Sequence, residues 1–238
     1  KQQEKLNGYR TLLWRTGTGS QFALYPNLNV NDPVWRTVLR EVRFRRALSL
    51  AIDREAIVKN VLRGGQVAAT ALTPPGLAGY TPPVAVTRDL VTGKKLLAEA
   101  GFPGGKGLPV MSIQVLNDDK LPRTAEAIQA MWLRELGVKV TIDPFEQKTW
   151  IQNQQTLTHT IALMGWTADF PDPITFLDVF KSDGGNNWTG WKSQDYDALL
   201  EQAAGTADPA ARFALLQKAE TLLLAEAPIA PLVFSTRT

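Results

Sequence analysis

The sequence contains no cysteine and a single histidine among its 238 residues. The first absence excludes disulfides, thiolate metal sites and cysteine nucleophiles, and it leaves the redox compartment undecided because exported proteins can do without disulfides. The second leaves no His-Glu-x-x-His zinc helix, and no nucleophile elbow is present either. His159 lies in the polar run Gln152 to Thr160 with no acid beside it, and reads as a surface histidine. No apolar run approaches the ~20 residues of a membrane span. The chain begins Lys1-Gln-Gln, with nothing resembling a signal peptide, as expected of a mature product, a truncation or a proteolytic piece. Charge of one sign is also scarce: 26 basic against 23 acidic residues give a net charge of +3, which does not call for nucleic acid. There is no internal repeat and no low-complexity tract.

What is present is an ordinary globular composition, 44% hydrophobic and 21% charged, sufficient to bury a core in one large domain or two small ones. Thr11 to Trp14 and Phe22 to Tyr25 read as strands around a Gly17 to Ser20 turn. Phe44, Ala47, Leu48 and Ala51 fall at helical spacing, and Asp53 stands where it would cap a second helix ending at Gly64-Gly65. The arginines of the first helix, Arg43, Arg45 and Arg46, read as a solvated, acid-paired face. Thr70 to Pro83, with four prolines, is expected to be a long loop. A helix from about Thr87 to Ala100 follows.

Met111, Ile113 and Val115 alternate with polar residues as a half-buried strand does. Pro122 opens a helix that Gly137 terminates, and Val138, Val140 and Ile142 alternate again. With a helix around Thr149 to Asn153 and a strand from Ile161, this order predicts an α/β fold, a sheet with helices on both faces. Ser193 and Asp208-Pro209 mark two further helix starts, and Ile229 to Phe234, interrupted by Pro231, is expected at a sheet edge or leaving the domain.

The most informative stretch is IALMGWTADFPDPITFL, residues 161–177. Its apolar start suits a strand covered on both faces, and Pro171 and Pro173 forbid the ladder from continuing. The chain must therefore turn at the carboxyl end of a strand, where ligands bind in open α/β sheets. An acid, Asp169, beside an indole, Trp166, suits a cationic group there. The structural alternative is that Asp169 caps the next helix or pairs with an arginine. Asp169 and Asp172 also permit a glycosidase-like acid/base pair, with Asp172 equally explained as a turn residue.

Several segments carry a resemblance. Residues 42–58 (VRFRRALSLAIDREAIV), 72–80 (LTPPGLAGY), 95–103 (KLLAEAGFP), 136–140 (LGVKV) and 164–169 (MGWTAD) are similar, in order, to segments of the oligopeptide- and dipeptide-binding proteins of bacterial ABC importers. The resemblance implies a mixed sheet with helices on both faces, residues 1–238 forming one ligand-binding lobe of a two-lobed, periplasmic-binding-protein-like (type II) fold whose other lobe is absent from the chain. It further implies a solute-binding protein rather than an enzyme, monomeric, periplasmic or extracytoplasmic and membrane-associated through the transporter, without cofactor, metal or direct membrane insertion. Its partners would be a peptide and the permease subunits of an ABC transporter. On this resemblance Asp169 receives the α-ammonium group of the peptide, Trp166 lines the pocket, and Asn187 and Trp188 lie near the same cleft. Relatives that bind nickel complexes, haem or oligosaccharides keep the ligand class open.

Overall fold

A computed structural model describes residues 19–235; the expected Thr11 to Trp14 strand lies outside them. Among the described residues six strands form one mixed sheet: β1 (Ser20–Pro26), β2 (Val67–Ala68), β3 (Met111–Leu116), β4 (Val140–Phe145), β5 (Ile161–Thr167) and β6 (Ala230–Ser235), in the order β2-β6-β1-β5-β3-β4. β3 runs parallel to β4 and β5, while β1 is antiparallel to both β5 and β6. The carboxyl ends of β3, β4, β5 and β6 therefore share one edge. β1 starts at that same edge, with Ser20 opposite both Thr167 and Ser235.

Alternation divides the core in two. Ile113, Val115, Ile161 and Leu163 face one cluster, completed by α1 (Pro33–Arg40), α2 (Val42–Leu50), α3 (Leu90–Glu99) and α4 (Leu121–Leu136). Ala23, Tyr25, Ala162 and Met164 face the other, completed by α6 (Gln194–Ala204) and α7 (Pro209–Glu226), with Trp150 of α5 (Gln147–Gln155) packed against it. The apolar run of β5 thus has both faces covered.

Capping follows the residues that signalled it. Asp53, Asp89, Ser193 and Asp208 each accept a first-turn N–H at 2.8–3.2 Å. Gly137 closes α4 with φ +70°, and a Cβ there would lie 2.3 Å from the Gly104 carbonyl, so only glycine fits this crossing. The helix begun at Arg54 continues as a π-helix, Ile57–Leu62, and ends on Arg63 in the left-handed region, one residue before the expected glycines.

Three expectations are corrected. His159 is fully buried, its Nδ1 3.5 Å from the Asn153 carbonyl; the polar run around it folds under Asn27, whose amide donates to the Leu157 and His159 carbonyls. Burial pushes its imidazole down to about 4. β6 is not at the edge, because Val67 and Ala68 pair with Phe234 and Val233. Pro231 is accommodated where the β1–β6 register shifts, between Phe22 and Ala23. The arginines of α2 do not form a single solvated face. Arg43 pairs with Glu41 at the surface, but Arg45 is 4% exposed and donates to the Leu39, Glu226 and Ala227 carbonyls. It is a charge caged by helix-terminal carbonyls.

The 70–83 loop is ordered by a buried acid. Glu220 of α7 accepts from the Leu72 and Thr73 backbone at 2.9 and 2.8 Å and from the Tyr80 hydroxyl at 2.8 Å. Burial nonetheless raises its pKa.

Candidate binding site

The site is built where β5 ends. Gly165, inside β5, lets β1 approach closely: a Cβ there would lie 2.7 Å from the Gln21 carbonyl and 2.9 Å from the Phe22 ring. Trp166 follows, half-buried. The ladder extends one step further, Ala168 donating to the Gly19 carbonyl at 3.0 Å. The Asp169 N–H then turns to the Thr175 hydroxyl at 3.1 Å, and the two prolines carry the chain into a short helix, Ile174–Leu177.

The three acids of this segment differ in their surroundings. Both oxygens of Asp172 are taken by Arg212 of α7, at 2.8 and 2.9 Å, and one also accepts from the Ile174 N–H at 2.9 Å. Partial burial works to raise its pKa, but the guanidinium and the amide outweigh it and hold the carboxyl below its usual range. A carboxylate so held is a poor general acid, and its geometry is that of a brace tying the turn to α7. Asp178 is 62% exposed, with only Lys181 at 4.0 Å. Asp169 is exposed, and its carboxylate makes no hydrogen bond or ion pair with the described residues.

Asp169 and Trp166 line one cleft of about 210 Å³ together with Phe170, Thr175, Asp178 and Asn186. It offers two aromatic rings and two carboxylates, and no basic side chain lines it. The chemistry of such a lining suits a cation: carboxylates can supply charge-assisted hydrogen bonds, and ring faces attract the same sign.

The other two expected site residues are not brought to it. Asn187 donates to the carbonyls of Trp191 at 2.7 Å and Lys181 at 3.1 Å and accepts from the Thr189 hydroxyl at 2.8 Å, so it shapes its own loop. Trp188 packs against the second core cluster. The same loop reaches the cleft instead through Gly184, Gly185 and Asn186. Phe170, Thr175, Asp178 and Asn186 were not singled out from the sequence. A loop-to-helix turn carries no periodicity from which their convergence could be read. Among the described residues no three His, Asp or Glu side chains cluster as a metal site.

Residues 1–188 match the family described as bacterial extracellular solute-binding proteins, family 5 Middle. The oligopeptide-binding protein OppA of Bacillus subtilis (strain 168) is 38% identical over 208 residues, 84% of this chain and 38% of that protein. The probable deoxycholate-binding periplasmic protein YgiS of Escherichia coli (strain K12) is 32% identical over 216 residues, 88% of this chain and 39% of that protein. Among solved structures, the Escherichia coli murein tripeptide binding protein MppA superimposes with a TM-score of 0.87 at 28% identity, covering 99% of this chain and 46% of that one. The chain thus spans about two fifths of the length of these curated relatives, and it belongs to the family 5 bacterial extracellular solute-binding proteins.

Proposed function

We propose that the chain is the ligand-contacting lobe of a peptide-capturing protein that serves an ABC importer on the outer side of the cytoplasmic membrane, in the periplasm where there is one. The observation that carries this reading is the contrast between Asp169 and its neighbour. Asp172 is neutralised by Arg212, while Asp169 faces the cleft beside Trp166 with its charge uncompensated.

A peptide presents an α-ammonium whatever its side chains, and a charged hydrogen bond to it contributes about 1.5–3 kcal/mol once water is excluded. Exclusion requires a second wall. The sheet edge that carries Asp169 also carries Ser20 and Ser235 side by side, so a second lobe joined through β1 and β6 would stand over the cleft, and hinge closure would enclose the ligand. The names of the relatives support a peptide, and the name of YgiS keeps a different solute as the competing outcome. Among the described residues no helix is long and apolar enough to cross a membrane.

The test is mass spectrometry of the ligand that co-purifies with the full-length protein, followed by calorimetry with that ligand. Recovery of peptides with free amino termini supports the reading. Recovery of a bile acid or another solute without a cationic group refutes it.

A further inference from the structure

Two buried polar atoms on paired positions of neighbouring strands have no partner among the described residues. Gln21 of β1 is fully buried; its Nε2 donates to the Tyr25 hydroxyl at 2.7 Å, while its Oε1 has no partner among the described residues. The Trp166 Nε1 is likewise buried and without a partner among the described residues. Gln21 and Trp166 are directly paired positions of the antiparallel ladder β1–β5, so their side chains project from the same face with Cβ atoms about 5 Å apart. One atom is an acceptor and the other a donor.

Buried polar groups in native proteins are satisfied, and those lacking a protein partner hold an ordered water. We propose that Gln21 is a positioning residue for the binding site: through one bridging water it receives the Trp166 indole N–H and fixes the aromatic wall beside Asp169. The water accepts from the indole and donates to Oε1. Tyr25, itself stacked on Phe180 with ring centroids 6.0 Å apart, anchors the carboxamide from its other end. Gln21 lies on a different strand from Trp166 and does not line the cleft. Its effect on a ligand would pass entirely through the orientation of the indole.

The affinity arm of the test rests on the peptide-capture reading; the first arm does not. In the ¹⁵N-labelled full-length protein, with the Trp166 indole resonance assigned from Trp166→Phe, the indole N–H is expected to show magnetisation transfer from a long-lived water. Gln21→Met, similar in length without the amide, should abolish that transfer, and Tyr25→Phe should weaken it. In calorimetry with trialanine, at a temperature where both proteins are fully folded, Gln21→Met should raise Kd about fivefold. An indole that contacts no long-lived water in the unsubstituted protein overturns the proposal. So does a Gln21→Met protein that keeps the water or binds trialanine with unchanged affinity. Failure of the unsubstituted protein to bind trialanine would count against peptide capture, and the water transfer would still decide the Gln21 pairing.

Discussion

His159 makes the stability of the fold sensitive to mild acid, and because it is the only imidazole in the sequence the effect can be isolated. The side chain is fully buried, and its Nε2 has no partner among the described residues. Burial lowers its pKa from 6.5 to about 4, opposed by the Asn153 carbonyl. Between those values the unfolded chain binds a proton that the folded chain refuses, so stability falls as pH falls through the window and is fully present above about pH 6.5. Each pH unit of displacement corresponds to about 1.4 kcal/mol. The whole window is therefore worth about 3 kcal/mol, of which about 2 kcal/mol is lost by pH 5. Urea unfolding at pH 7.5 and pH 5, run on the unsubstituted protein and on His159→Gln, measures it. Carboxylate titrations are common to both proteins and cancel in the difference. The unsubstituted protein is expected to lose about 2 kcal/mol more than the variant between the two pH values. A gap between the two proteins that is the same at both pH values would refute the assignment of a buried, neutral imidazole.

Three other outcomes are expected. Asp169→Ala in the full-length protein should weaken binding of a free-amine peptide at least tenfold in calorimetry, a loss of about 1.4 kcal/mol or more; unchanged affinity would remove Asp169 from the site. Asp172→Asn should cost about 1 kcal/mol of stability by denaturant titration through loss of the Arg212 brace, with peptide affinity reduced less than threefold. Glu220→Ala would strand the Leu72 and Thr73 amides and the Tyr80 hydroxyl, lowering stability by about 3 kcal/mol or more. Limited proteolysis should then cut first within residues 70–83.

Regular elements were legible wherever a local rule set them. The alternation Met111-Ile113-Val115, the cap-plus-proline at Asp208-Pro209 and the stop at Gly137 all depend on neighbours within a few residues, and each element appears where the pattern places it. What could not be read depends on partners far along the chain. Asp172 meets Arg212 across 40 positions, and Arg45 meets the end of α7 across about 180. His159 looked exposed because its neighbours are polar, yet their polarity is satisfied by Asn27. Pro231 argued for an edge because the two residues that cover β6 are too few to announce a strand. In the candidate site, the placing of Trp166 and Asp169 on one cleft was legible from the run that precedes them and the prolines that follow. Asn187 does not line that cleft, whereas Asn186, one position before it, does.

The pairing of Ser20 with Ser235 has a mechanical consequence. Two neighbouring strands stitched by a common ladder cannot pivot separately, because bending one would shear the amide bonds to the other. In the proposed two-lobed protein, a second lobe carried on both would therefore be favoured to nod about a line lying across the pair over swivelling on one strand alone.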